Sequence, residues 1–125
     1  MSVFNGFAEG AYKKISAKTA SYQVKETDLG TYFTTRGASG AITFTLPDPS
    51  DLEAGWWCHF HNIVDQNMVV ASYGSSDNIV AVADAAADTI TFSTSSQKIG
   101  ANVRVVWDGT GWLSIFGSSA TATIA

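Results

Sequence analysis

The stretch Val103-Arg-Val-Val-Trp-Asp-Gly-Thr-Gly-Trp-Leu-Ser-Ile-Phe116 decides the fold class. Two runs of β-branched and aromatic residues flank Asp108-Gly-Thr-Gly111, whose glycines supply the positive φ of a tight reversal. The pattern predicts an antiparallel hairpin. Side chains alternate along a strand, so Val103, Val105 and Trp107 share one face, as do Trp112, Ser114 and Phe116 on the next strand. Trp107 and Trp112 read as core or core-edge packing that clamps the end of a sheet, with a ligand platform as the other reading.

The same period of two recurs outward from this hairpin. In Gly40-Ala-Ile-Thr-Phe-Thr-Leu-Pro47, Ile42, Phe44 and Leu46 alternate with Thr43 and Thr45, and Pro47 and Pro49 then end the ladder. Residues 22–25, 31–35, 55–64, 67–73, 78–82 and 89–94 read alike, so with 41–46, 102–108 and 112–116 the chain holds about nine short strands. Helical periodicity is almost absent. The expected fold is all-β, an antiparallel β-sandwich, jelly-roll-like, over residues 21–117, with an N-terminal arm at 1–20 and a C-terminal tail at 118–125. Residues 80–88, rich in alanine, fit either one helical turn or an extended loop. The arm carries Phe4, Phe7 and Tyr12, and the tail, which extends a strand or lies along a neighbour's edge, carries Ile124.

Composition narrows the function classes. The 125 residues match a single domain, and only 14% are charged, against about 25% in an average soluble protein. The surface is therefore Ser-, Thr-, Gly- and Asn-rich or partly hidden against partners. A formal net charge of −4, with no cationic run longer than Lys13-Lys14, argues against nucleic acid as a partner. No apolar stretch approaches the about 20 residues that span a bilayer, so no membrane partner is expected. The first ten residues lack the layout of a signal peptide, which makes cytoplasmic synthesis the expectation. Cys58, the single cysteine, excludes a disulfide within the chain.

Motifs for catalysis are missing: there is no phosphate-binding glycine loop, no dinucleotide fingerprint, no His-Glu-x-x-His and no Cys-x-x-Cys. No catalytic residue and no cofactor is expected. Cys58 and His59 are adjacent on a strand and point to opposite faces, so Cys58 reads as a buried thiol beside Phe60. His59 and His61 face the same way and are the candidate metal ligands. Two imidazoles are not a site, but a trimer with this face on its axis would gather six. The alternative is a pair of half-exposed histidines making hydrogen bonds, with Trp57 on their face. Asp48, Asp51 and Glu53 cluster after Leu46-Pro47, where they could serve as an acid–base pair, bind calcium, or form a turn in which Asp48 or Ser50 accepts backbone N–H groups. Asp84 and Asp88 read as flanking a surface turn. In Gly55-Trp56-Trp57 the two indoles face opposite sides, so one of them lies at a surface or under a partner; Trp57 is the expected one.

Several of these segments together resemble a recurring domain of tailed-phage virion proteins, found in tail-fibre and capsid-associated components. The residues are Tyr22-Gln-Val24, Asp28-Leu-Gly30, Gly37-Ala38, Ile42-Thr-Phe-Thr-Leu-Pro47, Gly55 with Phe60-His-Asn62, and Val103-Arg-Val-Val-Trp-Asp-Gly-Thr-Gly-Trp112, a match over roughly residues 19–117. The His59-x-His61 pair likewise resembles the metal sites of some trimeric phage tail fibres. The resemblance implies a non-enzymatic structural protein of the virion, made in the host cytoplasm. The short extensions are similar to those of a capsid decoration (cement) protein, a trimer bridging major capsid protein subunits or bound to another virion protein. A tail-fibre or receptor-binding component that recognises a cell-surface glycan is the alternative. Phe4, Phe7, Tyr12, Trp57 and Ile124 are the expected interface residues.

Overall fold

Alternation produces a strand at every one of the nine expected places. The computed structural model describes residues 14–125; Phe4, Phe7 and Tyr12 lie outside the described residues. The strands are β1 (Lys14–Ala17), β2 (Tyr22–Gln23), β3 (Thr31–Thr34), β4 (Ile42–Thr45), β5 (Trp57–His61) and β6 (Met68–Ala71). They continue with β7 (Ile79–Ala81), β8 (Asp84–Ala87), β9 (Thr89–Phe92), β10 (Asn102–Trp107), β11 (Trp112–Phe116) and β12 (Thr123–Ile124). A seven-stranded sheet runs in the order β1-β3-β5-β10-β11-β7-β8, and a five-stranded sheet in the order β12-β9-β6-β4-β2.

The first six strands pass alternately through the two sheets. β1, β3 and β5 are therefore parallel neighbours in one sheet and β2, β4 and β6 in the other, a flattened coil of chain. The later strands add antiparallel partners: β10 pairs with β5 and β11, and β9 with β6 and β12. Both sheets are mixed, which corrects the antiparallel, jelly-roll-like expectation. The physical reason is that each early connection crosses the sandwich instead of reversing within a sheet, so sheet neighbours are a full turn apart and point the same way.

Two strands lie where none was expected. Residues 14–17, counted with the arm, form the edge strand β1 along β3. Residues 84–87 form β8, antiparallel to β7, with Ala83 at φ 59° in the reversal and a register shift between Ile79 and Ala81. Alanine's helix propensity is overridden there by pairing and by the burial of Ala87. Asp84 and Asp88 consequently bracket a strand, which corrects their reading as flanks of a turn. The tail does extend a strand: β12 pairs with β9, setting Ile124 opposite Ile90.

Between the sheets lies one apolar layer. Phe33 and Phe60 from the larger sheet meet Phe44 from the smaller, with ring centroids 5.5 Å and 4.8 Å from Phe44, and Phe92 meets Phe116 edge-on at 6.2 Å. Trp112 packs against Trp107 at 5.2 Å and Trp56 at 5.8 Å, the clamp expected beside the hairpin. Each fully buried aromatic stabilises the fold by roughly 1.5–3 kcal/mol relative to exposure. The hairpin turn is fixed by Asp108, whose Oδ1 accepts from the backbone N–H of Thr110 at 2.8 Å and of Gly111 at 2.7 Å, while Gly109 takes φ 100°.

Candidate functional site

Every strand of a sandwich turns half its side chains away from the core, and on the seven-stranded sheet two outward rows are rich in apolar residues while a third, Ala17, Thr34, His61 and Asn102, is mostly polar. Register places Ile15, Tyr32, His59, Arg104 and Ile115 in one row across five adjacent strands. A second row runs Trp57, Val106, Leu113 and Val80. Ile15, Ile115, Leu113 and Val80 are 64, 55, 40 and 37% exposed, and Val82 in the adjoining turn is 69% exposed. The outward side of the five-stranded sheet carries Thr43, Val69, Thr91 and Thr123 in one row and Gln23, Thr45, Ala71 and Thr89 in the next.

Aromatic and polar contacts link the residues at the centre of this face. The Arg104 guanidinium sits 4.4 Å from the centroid of a Trp57 ring. A Cβ at Gly30, which takes φ 74°, would stand 3.7 Å from Trp57 Cζ2, and the Gly30 N–H donates to the Trp57 carbonyl at 2.8 Å. Tyr32 stacks on His59 with centroids 4.1 Å apart and planes 14° from parallel, and His61 lies 6.2 Å from both rings. His59 is buried by these neighbours although it points outward. Its Nε2 lies 3.0 Å from Asn102 Oδ1, and Asn102 Nδ2 donates to the Gly100 carbonyl at 2.8 Å. That second bond commits the amide nitrogen to Gly100 and leaves Oδ1 as the acceptor, so Nε2 of His59 carries the proton and donates, and the ring's lone pair is on Nδ1. Among the described residues no group of three or more His, Cys, Asp or Glu is placed to hold a metal ion. Gly117 backs this arrangement, because a Cβ there would overlap the Asn102 carboxamide.

The other candidates separate. Cys58 is fully buried in the core beside Phe60, on the face opposite His59. Burial, with a smaller contribution from the Asp28 charge, pushes its thiol well above the ordinary range, so it stays neutral and sealed from solvent. Asp51 and Glu53 do come together, with Glu26, Leu29 and Trp56, around an open hollow of about 400 Å³. Asp48 instead caps the short turn Pro49–Asp51, its Oδ1 accepting from the Ser50 N–H at 3.0 Å. Trp56 in that hollow is 7% exposed, and its Nε1–H donates to the Glu26 carbonyl at 2.9 Å, so it offers no bare indole face to a sugar ring. Of the two indoles, Trp56 is the core one and Trp57 the outward one, as the sequence indicates. Ile124 is partly buried against the molecule's own core.

Sequence reasoning missed Ile15, Tyr32, Arg104, Leu113 and Ile115. One local signal was present: Trp112-Leu-Ser-Ile-Phe116 is apolar on both faces, which a sheet with one wet side does not need. Compared with known proteins, the chain matches no family model and no curated sequence.

Proposed function

We propose that this chain is a non-enzymatic structural subunit of a phage virion, a capsid decoration protein that attaches and self-associates through the outward face of its seven-stranded sheet. The carrying observation is the combination on that face of exposed Ile15, Leu113 and Ile115 with Trp57, Tyr32 and Arg104. Trp, Tyr and Arg are the residues in which interface energy concentrates, and an apolar rim around them excludes water. Virion membership is drawn from the motif resemblance; self-association, with a trimer as the expected state, and binding to the major capsid protein follow from it. Each copy bound to the assembled shell and not to free subunits stabilises the shell by mass action. The glycan-binding alternative is less well supported, because Arg104 already occupies one face of the Trp57 indole.

The test is occupancy on particles. Labelled wild-type protein is expected to decorate heads in negative-stain images, and Ile115→Lys to decorate them at least about 30-fold more weakly, the loss of one strong interface residue. Label confined to the tail, or equal decoration by both proteins, would overturn the assignment.

A further inference from the structure

The apolar rows are too small to account for a stable interface by themselves. Seven strands at about 4.8 Å spacing and five residues at about 3.4 Å give a face of about 29 by 17 Å, or about 500 Å². A standard interface buries about 800 Å² on each partner. A flat face meeting its own copy would also set Arg104 against Arg104 near the centre of the patch.

The chain itself supplies a better-matched occupant. Residues 1–13, outside the described residues, contain Phe4, Phe7 and Tyr12 and no acidic residue except Glu9. They join the molecule at Lys14, the start of edge strand β1 of this same sheet, in register with Thr31 and next to the end where Gly30 bonds to Trp57. Thirteen extended residues reach about 44 Å, enough to cross the about 29 Å width of the sheet with several residues to spare. Each buried aromatic side chain would cover roughly 150–250 Å², which makes up the missing area. Crossing its own face would require the chain to double back out of β1, whose nearest preceding glycine is Gly10.

We infer that residues 1–13 of one copy dock across the outward face of the seven-stranded sheet of a neighbouring copy, with the side chains of Phe4 and Tyr12, which share one side of an extended segment, against the rows of Ile115 and Leu113. This rests on the reading of that face as an assembly surface, and it names the occupant. An arm-in-face contact is head-to-tail and closes into a ring when the rotation between copies permits, as a trimer requires.

Complementation tests it. The variant lacking residues 2–12 keeps an intact face, and full-length Ile115→Lys keeps an intact arm. Each alone is expected to sediment as a monomer with an unchanged circular dichroism spectrum, and their equimolar mixture to form a hetero-pair. Failure of the mixture to associate, or a deletion variant that still self-associates, would overturn the inference; a full-length wild-type protein that stays monomeric would do the same. Head decoration by the deletion variant that is lost in Ile115→Lys would leave the decoration reading standing while the arm inference falls. Head decoration retained by both variants would remove the reading of this face as the attachment surface.

Discussion

Thr43, Val69, Thr91 and Thr123 stand in a row across the outside of the five-stranded sheet, and Ile15, Tyr32, His59, Arg104 and Ile115 across the outside of the seven-stranded one. The rows are built alike, from neighbouring strands with every second residue turned outward. Threonine keeps the β-branched shape that suits a strand and leaves its hydroxyl to water. Nothing in strand formation demands more than that on a solvated face. The larger sheet goes further, with aliphatic and aromatic side chains that water does not reward. The fold accounts for one face; the apolar residues of the other are what the proposed assembly surface would use.

The largest expected effect breaks what the two faces share. Phe60→Ala removes a fully buried ring packed on Phe33 and Phe44 and should lower stability by about 3–5 kcal/mol in urea unfolding. Amide exchange should quicken in both sheets together; loss of protection confined to the larger sheet would show that the sheets are separate units. Next comes Gly117→Ala, which pushes Asn102 away from His59 and leaves buried polar groups without their bonds. It should cost about 2–3 kcal/mol. A neutral result would mean that the centre of the apolar face is not held by Asn102.

The contrast between faces is sharpened by a matched pair, Ile115→Lys and Thr91→Lys. Each should change monomer stability by no more than about 0.5 kcal/mol, and only Ile115→Lys should abolish self-association in sedimentation velocity. Equal behaviour would erase the distinction drawn between the sheets. The smallest effect lies at the sheet end. The Gly111 N–H, and then that of Thr110, hold the Asp108 carboxyl below its ordinary range. Since its folded pKa is below the unfolded value of about 3.9, its contribution is present above that pH and lost as pH falls through the folded value. Asp108→Asn should therefore be slightly less stable at neutral pH, with the gap closing below about pH 4; a gap that persists in acid would assign the effect to lost packing.

Much of the fold was legible because it is local. β11 falls on residues 112–116 as read, and the outward turn of Trp57 follows from its neighbour Trp56 being in the core. Parallel pairing was not legible, since Ile42, Phe44 and Leu46 bury one face equally well beside a parallel or an antiparallel neighbour. β1, Lys-Ile-Ser-Ala, and β8, Asp-Ala-Ala-Ala, have too little apolar alternation to announce a strand and depend on β3 and β7 for their shape. His59 illustrates the limit for the site. Its outward direction was readable, whereas its burial depends on Tyr32, 27 positions earlier, and on Asn102, 43 positions later.

The winding of the early strands between two sheets has a consequence for how this chain reaches its native state. Among the described residues only β7 with β8 and β10 with β11 are hydrogen-bonded to their immediate successors in the chain; the remaining pairings wait for distant segments, as when Trp112 meets Ile79. Loop-closure entropy must be spent before those pairings repay it, which places folding in the millisecond-to-second range typical of non-local β topologies. During that interval half-formed sheets present bare edges, so refolding yield should fall as protein concentration rises.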